Sequence, residues 1–186
     1  MNANIVVDRE ILLRRPSLVY TDEIFTLIDS SRSYLRELLP WVDSIKTSGD
    51  EREWIKAHLN FGDELQQSHF MMIYKDAVAG LIAIMNLDSP NKACEVGYWL
   101  GEEFQGKGIV TKSCRTLIGG LFEKEGMRRV QIRAAKGNRR SRAIPERLGF
   151  LLEGIQRQAE LVNGRFYDLA MYSVLADEWY EKNEQR

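Results

Sequence analysis

The run Gln105-Gly106-Lys107-Gly108-Ile109-Val110 carries the residue types best suited to chemistry in this 186-residue sequence. It lies between a run of strand formers, Ala93 to Leu100, and an amphipathic stretch from about Val110 to Lys124. The start of a helix presents unpaired N–H groups and a partial positive charge. Glycines let that backbone come close to an anion, so such a turn suits a phosphate. The Walker A pattern G-x-x-x-x-G-K-[ST] nearly fits Gly101 to Gly108, but Gly108 stands where a magnesium-binding hydroxyl is required. The strand before it carries Glu95, Gly97 and Trp99 instead of a buried apolar run. A P-loop NTPase is therefore excluded. The dinucleotide pattern G-x-G-x-x-G fails as well, because Thr111 holds the third glycine position and no first-strand βαβ unit precedes it. Taken alone, the turn reads equally well as an anion site or as a tight turn.

Composition bounds the rest. Lys plus Arg is 26 and Asp plus Glu is 27, for a formal net charge of −1. A general nucleic-acid coat needs a basic excess, so a direct nucleic-acid partner is not expected. The only cysteines, Cys94 and Cys114, form no CxxC motif, which excludes a zinc ribbon or dithiol centre. Free thiols in a reducing cytosol are the simpler reading. Two histidines, His58 and His69, are too few for most histidine-rich sites, so no metal is expected. The longest apolar run, Leu81 to Met85, is far short of a membrane span. Met1 to Glu10 lacks the apolar stretch of a signal peptide, so no membrane partner and a cytoplasmic location are expected.

The elements that must position the turn follow from periodicity. Ile11 to Arg15 reads as a strand ended by Pro16, and Tyr20 to Ser31 as a helix with Ile24, Leu27 and Ile28 on one face. A second helix, Arg32 to Leu39, stops at Pro40 and leads to a loop, Trp41 to Ser48. Glu51 to Gln67 reads as a third helix, capped by Asp50, with Trp54, Ile55, His58, Leu59 and Leu65 as its apolar stripe. His69 to Tyr74 and Val78 to Met85 form a hairpin about Lys75-Asp76. Strands follow at Ala93 to Leu100 and Arg129 to Ala135, then a short helix, Ser141 to Arg147. Phe150 to Gln158 and Phe166 to Val174 are strands about Asn163-Gly164, and the tail from Asp177 is helical. No linker divides the chain, so residues 1–186 are expected to form a single domain of mixed α/β (α+β) class.

Residues downstream of the turn break the tie between anion site and tight turn. Gln105 and Gly108 fit a Gln/Arg-x-x-Gly-x-Gly/Ala signature, with Val110 departing from its small final residue. Asn138 and Ser141 form Asn-x-x-Ser ahead of a helix that closes in Leu148-Gly149-Phe150, and Glu95-Val96-Gly97-Tyr98-Trp99-Leu100 is a matching strand. In these motifs, taken in order, the sequence resembles the GNAT N-acetyltransferase superfamily. Within it the chain is similar, from about Ile11 to Trp179, to the ribosomal-protein N-terminal acetyltransferases, especially those acting on an amino-terminal serine. Leu39-Pro40-Trp41 and Leu152-Glu153-Gly154 through Asn163-Gly164 belong to that similarity. The resemblance implies a central, mostly antiparallel twisted sheet flanked by helices. That sheet is splayed between the fourth and fifth strands of the family's count to hold CoA.

It also implies acetyl-CoA as co-substrate. Tyr98, Trp99, Leu100, Gln105, Gly106, Lys107, Gly108, Ile109, Val110, Asn138 and Ser141 would then contact it. The turn would take the pyrophosphate, Asn138 the pantetheine arm, and a bulge near Tyr98 to Leu100 would aim an N–H at the thioester carbonyl. Lys107, Lys112, Arg139, Arg140 and Arg142 are available for the outer phosphates, or are surface cations. The tyrosine acid of many relatives is replaced by Pro145; the serine-type enzymes suggest Ser141 as acid and Glu160 as base. Ser141 reads equally as a helix N-cap, and Glu160 as a solvent-facing carboxylate. Glu95 is a second base candidate, directly or through water. Tyr98 and Trp99 read as core or cleft-lining, with core favoured for Trp99, and Trp41 as acceptor-site lining or as packing beneath its loop. Asp43, Glu95 and Glu160 are the acids available to hold a cationic amine. The acceptor is expected to be a protein N-terminus, such as that of a ribosomal protein, with a small-molecule amine or a non-catalytic CoA-binding sensor as alternatives. Family members often form homodimers, so the resemblance allows one here.

Overall fold

A computed structural model describes residues 4–59 and 68–184. Its strands are β1 (Asn4–Val6), β2 (Ile11–Arg14), β3 (His69–Tyr74), β4 (Ala77–Asp88), β5 (Ala93–Leu100), β6 (Arg129–Ala135), β7 (Leu151–Val162) and β8 (Arg165–Leu175). Its helices are α1 (Thr21–Ser30), α2 (Arg32–Leu35), α3 (Ser48–Leu59), α4 (Ile109–Glu123), α5 (Arg139–Leu148) and α6 (Ala176–Glu184). The strands make one sheet in the order β1-β2-β3-β4-β5-β6-β8-β7. Every neighbouring pair is antiparallel except β5 and β6. The expected mixed α/β class and mostly antiparallel sheet are what the chain adopts.

Alternation sends successive side chains to opposite faces, and both faces are covered. Phe70 and Met72 of β3 join Ile82, Val96, Val130 and Tyr172 beneath Leu117, Leu121 and Phe122 of α4, Leu148 of α5 and Trp179 of α6. Met71 and Ile73 point the other way and pack with Leu81 against Ile24, Leu27 and Ile28 of α1, Leu35 of α2 and Ile55 of α3. The middle of β4 is buried on both faces, so Val78 to Ile84 is an unbroken apolar run.

Several boundaries differ from expectation, each for a local reason. Helix α3 begins at Ser48, not Glu51, because Thr47 is its cap. The Thr47 hydroxyl accepts from the Asp50 N–H at 3.2 Å, and the Asp50 carboxylate accepts from the Lys46 and Thr47 N–H groups at 3.0 and 2.8 Å. This reciprocal box satisfies the Asp50 N–H of the first turn and the Thr47 N–H of the cap. It places Glu51 inside the helix, one turn from Ile55 and on the same inward face. Leu59, expected on the buried stripe, is 45% exposed. The expected continuation to Gln67, with Leu65, lies outside the described residues. Helix α2 ends at Leu35, short of Leu39. The Arg32 guanidinium donates to the Val42 and Ile45 carbonyls, both at 2.8 Å, and so ties down the loop that carries Trp41. Helix α5 starts at Arg139 with Asn138 as its cap, so Ser141 is not the N-cap. Strand β1 was not expected, and β7 runs on to Val162.

The feature that matters most for the site lies mid-sheet. β5 and β6 pair only where Ala93, Cys94 and Glu95 face Arg129, Val130 and Gln131. Past Glu95 the two strands part and leave a wedge, while β6 stays paired with β8 along its whole length. The splay falls at the strand pair expected, which here is β5 and β6. The bulge expected near Tyr98 to Leu100 does not occur: the ladder with β4 is regular from Glu95 to Leu100, and its irregularity lies at Met85 to Asp88.

The far end of β5 is held against β4 by a residue without a side chain. A Cβ on Gly80 would lie 2.2 Å from the Trp99 carbonyl oxygen and 2.8 Å from the Leu100 Cα. Gly80→Ala should therefore destabilise the protein by about 1–3 kcal/mol, as overpacking against backbone usually does. A thermal melt showing an unshifted midpoint would contradict this close approach.

Candidate active site

The turn expected to bind an anion joins β5 to α4 through Gly101 to Gly108, with a short 3-10 turn at Glu102–Phe104. Gly106 and Gly108 have φ of +76° and +74°, a region L residues rarely adopt, and the space beside both is open. Gly108 caps α4, and the first intrahelical bond runs from the Lys112 N–H to the Gly108 carbonyl at 3.0 Å. The N–H groups of Ile109, Val110 and Thr111 thus precede the ladder and are the orphan donors of a helix start. Ile109 and Val110 send their side chains into the core and offer only backbone to a ligand.

Gln105 is fixed at the mouth of this turn. Its carbonyl oxygen accepts from Arg140 at 2.7 Å, while its buried Nε2 has no partner. A buried donor left unsatisfied is costly, which suits a group that meets a ligand. Lys107 is exposed, with its ammonium 5.0 Å from the Phe104 ring centroid and 5.7 Å from that of Tyr74. Of the other expected phosphate cations, Lys112 is paired with Asp8 at 2.7 Å. Arg142 is turned to the Tyr172 hydroxyl at 2.8 Å and the Lys136 carbonyl at 3.0 Å. Neither is free for an outer phosphate in this arrangement.

Across the wedge lies the start of α5. Asn138 caps it by accepting the Ser141 N–H at 3.1 Å, which leaves its amide nitrogen for other work. Pro145 lies within the helix and has no N–H, so the Ser141 carbonyl loses its usual i+4 donor. The Tyr98 hydroxyl of β5 donates to that carbonyl at 3.0 Å. The Ser141 hydroxyl lies 3.4 Å from the same Tyr98 oxygen. One bond therefore spans the wedge and holds Ser141 and Tyr98 together. Burial pushes the Tyr98 phenol up, so it stays protonated at neutral pH.

These residues open into a cavity of about 480 Å³ lined by Tyr98, Trp99, Asn138, Ser141, Glu95 and Glu160, with Trp41, Trp54 and Glu51 on the helical side. Leu100 is not among its lining and packs on the main core instead. Trp99, read as core, is a half-buried wall whose ring centroid is 5.8 Å from that of Trp41. Trp41 lines the cavity as well as packing against its neighbour. Asp43 does not reach it, being paired with Arg36 at 2.9 Å.

Three carboxyl groups face this space in three different states. Glu95 is 7% exposed; both its oxygens lie 2.9 Å from Arg133 Nε, and one also accepts from Asn86 at 2.9 Å. The Asn86 amide and the Arg133 guanidinium already hold this carboxylate, which weighs against Glu95 as a base. Glu160 is half-buried and sits just past a bulge: Gln156 faces Leu169 and Glu160 faces Tyr167, so three residues of β7 oppose one of β8. Gln158 takes φ of +50°, and its N–H is held by Asp168 at 3.0 Å. Such a bulge re-aims the side chain that follows it. Desolvation pushes the Glu160 carboxyl up, with Arg133 opposing and Glu95 assisting.

Glu51 was missed by the sequence reading, as were Arg133 and Trp54 as site residues. Glu51 is 3% exposed and faces the cavity, and its carboxylate makes no hydrogen bond or ion pair among the described residues. Burial alone raises its pKa to about 7. Its spacing to Ile55 was the available signal, obscured because the helix start was placed at Glu51 itself. Among the described residues no cluster of His, Cys, Asp and Glu is arranged for a metal, and no helix is long and apolar enough to cross a membrane.

Comparison with known proteins agrees with this geometry. Residues 10–151 match the Acetyltransferase (GNAT) domain family. The chain is 49% identical over 108 residues to the Bacillus subtilis protein YdaF, named for a supposed ribosomal N-acetyltransferase activity. That match covers 58% of this chain and 59% of YdaF. It is 27% identical to the Escherichia coli ribosomal-protein-serine acetyltransferase over 95% of this chain and 99% of that one. Among solved structures, the microcin C7 self-immunity acetyltransferase MccE, in complex with acetyl-CoA and AMP, superposes with a TM-score of 0.89. The two are 32% identical, over 94% of this chain and 97% of that chain.

A buried carboxyl with no partner leaves a stability signature. Below pH about 4.5 Glu51 is protonated whether folded or not. As pH rises from there to about 7, the unfolded chain ionises first and the fold loses stability. Glu51→Gln should therefore raise stability at pH 8, on the order of 1–3 kcal/mol, and change little near pH 4. Chemical denaturation at the two pH values measures this, and a variant less stable than wild type at pH 8 would show that Glu51 has a structural partner.

Proposed function

The chain belongs to the GNAT acetyltransferase family, and on that premise we propose that it moves an acetyl group from acetyl-CoA to the N-terminal α-amine of a ribosomal protein. In this reading it acts as one domain, in the cytoplasm. The observation that supports it best is that Glu160 lines one cavity with Tyr98 and Ser141, whose bond joins β5 to α5, while Arg140 at the start of α5 is bonded at 2.7 Å to Gln105 of the open glycine turn. The similarity to the E. coli serine-specific enzyme, which runs nearly end to end, supports the acceptor.

Acetyl-CoA supplies the acetyl group as a thioester, an acyl carbon with a good leaving thiolate. The orphan N–H groups of Ile109, Val110 and Thr111, approached across Gly106, Lys107 and Gly108, suit its pyrophosphate. The unpartnered Gln105 amide and the free side of the Asn138 amide suit its polar arm. Beyond Glu95, the backbone of β5 at Tyr98, Trp99 and Leu100 has no partner on the wedge side and can offer an N–H to the carbonyl as it becomes an oxyanion. Glu160 takes a proton from the acceptor's ammonium; its raised pKa brings its basicity closer to the task. As the C–S bond breaks, the remaining extra proton on the attacking nitrogen passes through the Ser141 hydroxyl to the departing thiolate, so that Ser141, held in place by the Asn138 cap and by Tyr98, ends as a hydroxyl.

A small-molecule amine is the second reading. It is favoured by the aromatic walls Trp41, Trp54 and Trp99 and by the likeness to MccE, whose complex holds AMP. Thiol release from acetyl-CoA, measured across N-terminal peptides and small amines, separates the two.

Two variants test the assignments. Gly108→Asp puts a side chain at φ of +74° and a carboxylate at the helix start, so acetyl-CoA affinity should fall strongly. Calorimetric titration showing an unchanged affinity in the folded variant would remove the phosphate from this turn. Glu160→Gln should keep that affinity and lower turnover by on the order of a hundredfold. Turnover of the wild type should rise with pH through a carboxyl pKa above the ordinary glutamate range, because Glu160 must be ionised to act. The deficit of the variant should shrink at high pH, where the amine is already neutral. If Glu95→Gln shows this behaviour and Glu160→Gln does not, the base is Glu95.

A further inference from the structure

Charge in the cavity does not balance, and the imbalance describes the acceptor. Among the described residues, Arg133 is the only arginine or lysine lining it, and it is bonded to Glu95 at 2.9 Å. Glu160 and Glu51 are left without an ion-pair partner among the described residues. One carboxylate suffices to take the proton of the reacting ammonium. A second, 97% buried and aimed into the same space, would cost stability with no return unless something cationic meets it (3% of its surface is exposed). The walls beside it are aromatic: Trp54, one turn along α3, and the Trp41–Trp99 pair. Indole faces attract ammonium and guanidinium groups.

Resting on the acetyltransferase reading, we propose that Glu51 forms a subsite for a second positive charge on the acceptor, distinct from the amine that is acetylated. The acceptor is then a primary amine bearing another cationic group. That chemistry occurs both in a peptide with a basic residue beside its N-terminus and in a small diamine. Glu51 approaches from the helical layer, whereas Glu160 approaches from the sheet edge, so the two carboxylates can hold opposite ends of such a molecule. Its carboxyl, half-ionised near neutral pH when the cavity is empty, becomes fully ionised once a cation is beside it. The other ionisable groups on the cavity are His69 of β3, Tyr98, Glu95, Arg133 and Glu160. Arg133 is spent on Glu95, and Tyr98 on the Ser141 carbonyl.

The test uses matched acceptors that differ by one charge: seryl-lysine amide against seryl-norleucine amide, and 1,4-diaminobutane against 1-aminobutane. Steady-state thiol release gives KM and kcat, and calorimetry gives the affinity of each amine for the CoA-loaded protein. Wild type should favour the dicationic member of at least one pair by about tenfold in KM, with a smaller change in kcat. In Glu51→Gln that ratio should fall towards one, and Glu51→Asp should recover part of it. The peptide pair and the diamine pair show which source the subsite serves. Equal KM and equal affinity within both pairs in wild type would overturn the proposal, as would a preference that survives in Glu51→Gln. If no amine releases thiol, the acetyl-transfer reading fails, and the calorimetric ratio still decides the role of Glu51 by the same criteria.

Discussion

Two parallel strands that pair for three residues and then separate leave a problem in the middle of a sheet. On the side away from β4, the backbone groups of β5 beyond Glu95 face a gap and not a neighbouring strand. Buried backbone donors and acceptors are almost always satisfied, so a wedge of this kind persists only if other groups line it or a ligand enters it. Everything at the site follows from that opening. The turn into α4 follows the end of β5 that has parted from β6, α5 follows β6 on the other side, and the cavity beside them is also lined from α1 and α3. The contact that holds the two sides in register is also local. Pro145 withholds an N–H from the Ser141 carbonyl, and the Tyr98 hydroxyl supplies a donor from across the gap at 3.0 Å. A residue that would ordinarily weaken a helix here creates the acceptor that ties the helix to the strand.

The three carboxyl groups of the cavity show how environment divides labour among identical side chains. Glu95 sits where β5 and β6 part, and Arg133 and Asn86 hold it as a fixed anion. It neutralises Arg133, the only Lys or Arg among the described residues that line the cavity, and joins β5 to β6 near the point of divergence. Glu160 lies past a bulge that turns it towards the wedge, half-buried and with its proton more tightly held than usual. Glu51 is enclosed by the helical layer, with no hydrogen-bond or ion-pair partner among the described residues. Burial, pairing and backbone geometry therefore separate a paired anion, a half-buried carboxyl that holds its proton more tightly, and a buried carboxyl without a partner among the described residues.

The helical layer is built to hold its part of the site still. Arg32 bonds two carbonyls of the loop that carries Trp41, and the Thr47–Asp50 box sets the first residue of α3. The phase of that helix then decides that Glu51, Trp54 and Ile55 face inward while Arg52 and Glu53 face water. A shift of one residue in the helix start would not alter the sequence of the helix, but it changes what an observer expects each residue to face.

Local pattern alone determined most of the elements. The hairpin at Lys75-Asp76, the strands Ala93–Leu100 and Arg129–Ala135, and the glycine turn into α4 are short-range signals of alternation, turn chemistry and capping, and they are where the sequence placed them. The spaced motifs around Gln105, Asn138 and Leu148-Gly149-Phe150 also sufficed to indicate the family. Capping was less legible, because Thr47 and Asp50, or Asn138 and Ser141, are both able to cap and only the backbone path chooses between them. Which cations are free was not legible at all: Lys112 meets Asp8 and Arg142 meets Tyr172, partners far away in the chain. The same holds for the carboxylates. Glu95 and Arg133 are 38 residues apart, and only the order of strands makes them neighbours. Glu51 reaches the cavity only because α3 packs through Ile55 on the Met71, Ile73 and Leu81 face of β3 and β4. The sequence by itself determined the elements and the family because those signals depend on residues within a turn or two of each other. The tertiary structure alone decided which charged groups are paired, buried or left waiting, because electrostatic environment is set by neighbours that the chain brings together from a distance.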